Sequence, residues 1–207
     1  MTSTTTPPQI TASHITGLVL AGGRGTRMGG VDKGLQLLHG KPLVQHVLER
    51  LAPQVGTLAL NANRSQLHYA RFGYPIWHDL ESDYPGPLAG LQSGLAHCTT
   101  PFLASAPCDA PLIPYDLVAH LADAMAQAGA EAAFAVTVGE DRRQRHPVCS
   151  LLRTSAKPSL DAFLDAGERK MERWFATLHC VEVEFPEERA FCNINTGLDL
   201  RRLEEEQ

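Results

Sequence analysis

The chain begins polar and then turns sharply apolar. Residues 1–14 are rich in Thr, Ser and Pro and read as a disordered lead-in. Residues 15–21 form a short apolar run ending in glycines, the pattern of a buried strand. Leu43, Val44, Val47, Leu48 and Leu51 follow Pro42 at helical spacing, and Pro53 is placed to stop that helix. A second apolar run, 55–60, ends at Asn61-Ala62-Asn63, and a brief extended segment, 74–77, runs into His78-Asp79. Gly86-Pro87 opens a helix to about residue 96. Residues 101–106 read as another strand, ending at Pro107-Cys108-Asp109.

The second half is less regular. Residues 114–128 read as an alanine-rich helix, and 132–138 and 148–152 as paired strands joined by a charged connection, 139–145. Residues 158–166 and 169–178 read as helices, 181–185 and 191–194 as late strands, and a short charged helix closes the chain. This alternation predicts an α/β fold, Rossmann-like, with a mostly parallel central sheet flanked by helices. No repeat, low-complexity linker or change of composition divides the chain, so residues 15–207 are expected to form a single domain.

Composition narrows the function classes. At 207 residues, 43% hydrophobic and 20% charged, the chain resembles an ordinary globular protein. Its net charge of -5, with His neutral, gives no general attraction to nucleic acid or to an anionic membrane. Any phosphate must therefore be held by local basic groups. The five cysteines include no CxxC pair, so they read as isolated thiols in a reducing compartment. The lead-in has neither the basic nor the apolar region of a secretory signal. No stretch approaches the ~18 apolar residues of a membrane span. A cytoplasmic location and a monomer are expected.

In open α/β sheets ligands gather at the carboxyl ends of the strands. Four polar clusters follow predicted strands: residues 22–33, Asn61 to Asn63, Asp79 and Asp109. The first reads Leu-Ala-Gly-Gly-Arg-Gly-Thr-Arg-Met-Gly-Gly-Val-Asp-Lys from Leu20 to Lys33. Gly22, Gly23 and Gly25 free the backbone to turn its N–H groups onto phosphate oxygens, while Arg24, Arg27 and Lys33 supply charge. Neither GxxxxGK[ST] nor the dinucleotide fingerprint accounts for this loop. It reads as a triphosphate cradle, because a glycine-rich loop directly after an apolar strand is a phosphate-site context; a flexible surface loop with solvated charges is the alternative.

Asp109, after its strand and between Pro107 and Pro111, is a candidate Mg²⁺ ligand, because Mg²⁺ takes one or two carboxylates plus phosphate oxygens. A turn cap is the alternative. Asp79 and Asn61 are either turn formers or readers of base or ribose. Arg142, Arg143 and Arg145, just before His146-Pro147, are either a solvated loop or a grip for an anionic co-substrate. Helix capping accounts for Asn195 or Thr196.

Together these segments resemble the molybdenum cofactor guanylyltransferases. The resemblance rests on Leu20-Ala-Gly-Gly, Arg27-Met-Gly-Gly-Val-Asp-Lys33, Asn61-Ala-Asn-Arg64, Asp83-Tyr-Pro-Gly-Pro-Leu-Ala-Gly90, Pro107-Cys-Asp109, Ala166-Gly-Glu-Arg169 and Asn193-Ile-Asn-Thr196. It implies a GTP-binding amino-terminal half and a pterin-binding carboxyl-terminal half, with GTP and molybdopterin-type cofactor as substrates. By motif it implies GTP contacts at Leu20, Ala21, Gly22, Gly23, Lys33, Asn61, Asp79 and Asp109, with Mg²⁺ on Asp109. Arg27, Lys33 and Asp109 are the expected catalytic groups. His146, Arg169, Asn193 and Asn195 are the pterin candidates. Relatives that use CTP tend to carry Ala where this chain has Gly22, so the resemblance favours guanine. Gly197 stands where the family often has Pro, and Val148 where it often has Thr. Transient contact with cofactor-delivering or molybdoenzyme-maturation proteins is implied as well. The competing readings are a cytidylyltransferase or sugar-nucleotide pyrophosphorylase, and a nucleotide-binding carrier or sensor without turnover.

Overall fold

A computed structural model describes residues 9–21, 32–80, 86–139 and 143–205 of the chain. Most of the glycine-rich loop, with Gly22, Gly23 and Arg27, therefore lies outside the described residues, as do 81–85 and 140–142.

The first strand, β1 (Ile15–Leu20), is almost wholly buried. A short hairpin follows, β2 (Leu37–Leu38) against β3 (Lys41–Pro42), and leads into helix α1 (Leu43–Leu51). Leu43, Val44, Val47, Leu48 and Leu51 are all buried, as their spacing predicts. Each such fully buried side chain contributes about 1.5–3 kcal/mol. Pro53 does not end the turn outright, since Ala52–Gln54 tighten into a 3₁₀ turn that tolerates it. Then come β4 (Thr57–Asn61), the short α2 (Gln66–Tyr69), β5 (Ile76–Trp77), α3 (Pro87–His97) and β6 (Phe102–Pro107). The second half holds α4 (Leu117–Ala128), β7 (Ala132–Val138), β8 (Arg143–Arg153), α5 (Lys157–Asp165), α6 (Met171–Phe175), β9 (Cys180–Phe185) and α7 (Gly197–Glu205).

Seven strands form one sheet in the order β5-β4-β1-β6-β8-β7-β9. Every pairing is parallel except the two made by β8. This is the mostly parallel α/β sheet that the alternation of elements predicts. Helices α1 and α4 pack on one face, and α3, α5 and α6 on the other. A third, small cluster joins α7 to the hairpin through Leu38, Leu43, Ile194 and Leu203. From β1 the chain passes to β4 and β5 on one side and then to β6 on the other. The strand order reverses at β1, which opens a crevice at the carboxyl ends of the parallel strands.

Three expectations need correction. The lead-in does not run to residue 14: Ala12–His14 form a 3₁₀ turn and Ile10 packs on the core. Within the charged connection 139–145, residues 143–145 are strand, because β8 begins at Arg143. Arg143 and Arg145 alternate along an extended backbone and meet glutamates on β9 across β7. The register jumps from Ala135↔His146 to Phe134↔Ser150, a bulge that contains Pro147, which has no N–H to offer a ladder. Finally, 191–194 is not a strand. Glu188–Phe191 is a 3₁₀ turn, and the Ile194 N–H reaches only the Asp109 carbonyl, at 2.8 Å.

Candidate active site

The parallel strands end level with one another. Leu20 pairs with Asn61 on one side and with Pro107 on the other, and Asn61 pairs with Trp77. The pairing continues one residue further, from the Ala21 N–H to the Asn61 carbonyl (2.8 Å) and from the Cys108 N–H to the Leu20 carbonyl (3.0 Å). The register thus sets Leu20, Ala21, Asn61, Asp79 and Asp109 along one edge, where the residues that follow Ala21 also start.

On the β4–β5 side the polar groups interlock. The buried Asn61 amide donates to an Asp79 carboxylate oxygen at 2.9 Å and to the Trp77 carbonyl at 3.1 Å. Asn63 donates to the other Asp79 oxygen at 2.7 Å and accepts from the Asp79 N–H at 2.9 Å. Asp79 is thereby fixed in orientation, yet each carboxylate oxygen keeps a lone pair for a further donor. Gly90 explains how Asn61 is held from behind. A Cβ there would fall 2.5 Å from Asn61 Oδ1, so only glycine lets α3 lie this close.

On the β6 side the charges face each other. Lys33 Nζ lies 3.6 Å from Asp109 Oδ2 and donates to Asn195 Oδ1 at 2.7 Å. The Asp109 side chain is only 14% exposed. Burial pushes its carboxyl above the usual carboxylate range, and Lys33 partly offsets this. Asn195 and Thr196 in turn give their N–H groups to Asp199 at the start of α7. A lysine and an aspartate 76 residues apart in sequence thus meet at the strand edge, bridged to the carboxyl-terminal segment through Asn195.

The remaining candidates are placed differently. The half-buried His146 bonds Thr137 Oγ1 at 2.9 Å and stacks on Phe191 with ring centroids 4.8 Å apart. Burial lowers its pKa below the usual imidazole value, against the opposing pull of Glu188. Arg169 donates to the Leu164 and Glu168 carbonyls and so closes the end of α5. Asn193 is exposed, and its carbonyl accepts from the Asn195 amide. Arg143 and Arg145 both pair with Glu182, at 2.9 and 2.7 Å. Two neighbours of the site went unread in the sequence, Asp32 and Tyr69. Asp32 is one residue of the Arg27–Lys33 motif with no signal of its own, and Tyr69 lies on a helix too short to show a period.

Among the described residues, no group of three or more His, Cys, Asp or Glu could enclose a metal. A single recessed carboxylate remains a sufficient protein donor for Mg²⁺, whose other positions go to phosphate oxygens and water.

The model of the MobA-like NTP transferase domain matches residues 17–182, which contain most of this edge. The chain belongs to that family. Among its relatives, the molybdenum cofactor guanylyltransferase of Cupriavidus necator is 52% identical, covering 93% of this chain and 97% of its own. That of Bordetella petrii is 50% identical, covering 94% and 99%. The solved molybdopterin-guanine dinucleotide biosynthesis protein A of Archaeoglobus fulgidus superposes with a TM-score of 0.73 at 27% identity, over 92% of this chain and 97% of its own. A diphosphocytidyl-methylerythritol synthase from Anaerococcus prevotii superposes as well, with a TM-score of 0.75. At 10% identity it shares the fold alone. The MobA-like family is one of nucleotidyltransferases, and no helix among the described residues is long and apolar enough to cross a membrane.

Proposed function

We propose that this chain transfers GMP from GTP to the terminal phosphate of molybdenum-carrying molybdopterin, releasing pyrophosphate and the guanine dinucleotide form of the cofactor. The observation that carries the reading is the shared strand edge. A locked Asp79 carboxylate stands at one end, and the Lys33–Asp109 pair at the other. A carboxylate only accepts hydrogen bonds. Held by Asn61 and Asn63, it suits guanine, whose N1–H and N2–H groups both donate. Relatives 52% and 50% identical to this chain over nearly its full length carry the guanylyltransferase name, which supports the choice of nucleotide.

In the reaction, an oxygen of the pterin phosphate attacks the α-phosphorus, the bond to the β-phosphate oxygen breaks, and pyrophosphate takes the electron pair. The nucleophile is already anionic, so the protein needs no strong base. Its work is to position two like-charged groups and to neutralise charge. Lys33 supplies a fixed positive charge to the phosphates, with Arg27 proposed to add a second. Leu20, Ala21, Gly22 and Gly23 are proposed to cradle the triphosphate. Asp109 would hold Mg²⁺, which when bound neutralises phosphate oxygens. Asn195, which accepts from Lys33, is proposed to meet the pterin substrate on that side, with His146, Arg169 and Asn193 as further pterin groups.

The test is pyrophosphate release in the presence of Mg²⁺, with each nucleoside triphosphate and with molybdopterin present or absent. Release is expected only with GTP and the pterin together. Equal release with CTP would overturn the guanine reading, and release without pterin would overturn the acceptor.

A further inference from the structure

Tyr69 is fully buried, and its ring lies in the core beside Phe72. Packing explains the ring but not the hydroxyl. A buried hydroxyl without a partner is costly, so the group needs a reason to be there. Here it donates to Asp32 Oδ1 at 2.6 Å. Asp32 leads directly into a 3₁₀ turn, Lys33–Leu35, closed by the Leu35 N–H on the Asp32 carbonyl (3.2 Å) and the Gln36 N–H on the Lys33 carbonyl (3.0 Å). Fixing Asp32 therefore fixes the backbone from which Lys33 departs.

The packing around the next residue points the same way. A Cβ on Gly34 would meet the Tyr69 hydroxyl at 2.6 Å and Cys108 Sγ at 3.2 Å. The chain just after Lys33 is thus threaded between that hydroxyl and the residue before Asp109. Lysine carries a long, flexible stem, and only a fixed base lets its ammonium keep one station. Lys33 has such a station, 2.7 Å from Asn195 and 3.6 Å from Asp109.

We propose that Tyr69 is a positioning residue for the triphosphate side of the site, its hydroxyl holding Asp32 so that Lys33 stands against Asp109. This rests on the proposed nucleotidyl transfer. It also gives α2 a role: one short segment carries Asn61 and Asn63, which hold Asp79, and then Tyr69, which holds Asp32. The base side and the phosphate side are set by the same stretch of chain.

The test is Tyr69→Phe, which keeps the buried ring and removes only the hydroxyl. GTP-dependent pyrophosphate release should fall roughly 10- to 100-fold in kcat/KM, the usual cost of a small misplacement in a site. In a Lys33→Ala background the same change should cost nothing more, because its effect passes through Lys33. Asp32→Ala should match Tyr69→Phe, and Asp32→Asn, which keeps an acceptor oxygen, should recover most of that loss. Wild-type rates in Tyr69→Phe would overturn the proposal, and so would losses that multiply with that of Lys33→Ala. If Tyr69→Phe does not fold, Asp32→Ala reads the same bond from the other side. A wild-type protein that turns over no GTP would overturn the proposed function instead. The coupling is then read from triphosphate affinity, with the same non-additivity expected.

Discussion

Lys33 and Arg143 are both cations beside carboxylates, yet they sit in opposite settings. Lys33 lies at the recessed edge of the parallel strands, 3.6 Å from a carboxylate whose proton affinity burial has raised. Arg143 lies on the open face of the antiparallel part, 45% exposed, and shares Glu182 with Arg145. The first pair is desolvated and bonds loosely, so it keeps capacity for an incoming charge. The second is closed on itself and screened by water. A charged run can thus be satisfied within the fold, whereas the proposed site rests on a charge at a strand end whose partners leave room for another.

The largest effect that tests this contrast should come from Asp109→Ala. It removes the recessed carboxylate beside Lys33, and turnover with GTP and Mg²⁺ should fall about 10³-fold, as when preorganised charge stabilisation is lost elsewhere. Turnover within a few fold of wild type would show that the edge does not work through Asp109. Gly90→Ala should come next. Its new Cβ would fall 2.5 Å from Asn61 Oδ1 and push that amide away from Asp79. Loss of one hydrogen bond to a charged group predicts GTP affinity weaker by about tenfold or more. Calorimetric titration checks it, and unchanged affinity would detach Asn61 and Asp79 from nucleotide binding.

Much of the parallel half was legible because each of its strands announces its own end. The apolar runs before Gly22, Asn61, Asp79 and Asp109 each stop at a polar cluster, and strand-end logic alone brings those clusters to one edge. The antiparallel half was harder to read for physical reasons. Arg143 and Gln144 carry no apolar signal, since β8 is held there by its ladder to β7 and by ion pairs with β9. Residues 191–194 look like a strand, but Phe191 packs on His146 and Phe185, while Ile194 bonds the chain just after β6 and joins the small cluster under α7, so none of them extends the sheet. Tyr69 was invisible because four residues cannot show a helical period. Asn195 is both a helix-cap and a pterin candidate in the sequence; its N–H goes to Asp199, while its side chain turns to Lys33, a contact no local pattern announces.

A third effect is smaller and concerns stability. Burial lowers the His146 pKa below its usual 6.5. The unfolded chain therefore binds this proton more readily than the fold does. The site's contribution is complete above about pH 6.5 and is lost as pH falls from there through the folded value. Thermal melts of wild type and His146→Gln from pH 7.5 to 5 should show a difference between the two curves that changes below 6.5. A difference constant with pH would mean that His146 does not resist protonation.

The smallest effect should come from Arg143→Ala. Its pairs with Glu182 (2.9 Å) and Glu184 (3.9 Å) are partly exposed, and exposed ion pairs contribute about 0–1 kcal/mol. Glu182 keeps Arg145 at 2.7 Å after the change, so no carboxylate is stranded. Stability should move by no more than about 0.5 kcal/mol, and GTP affinity should not move at all. The informative measurement is the KM for the pterin substrate. Left unchanged, it keeps the ladder as a closed surface feature. A rise in that KM alone, with GTP affinity intact, would mean that an anionic substrate draws Arg143 away from Glu182, and the contrast with Lys33 would become one of timing instead of kind.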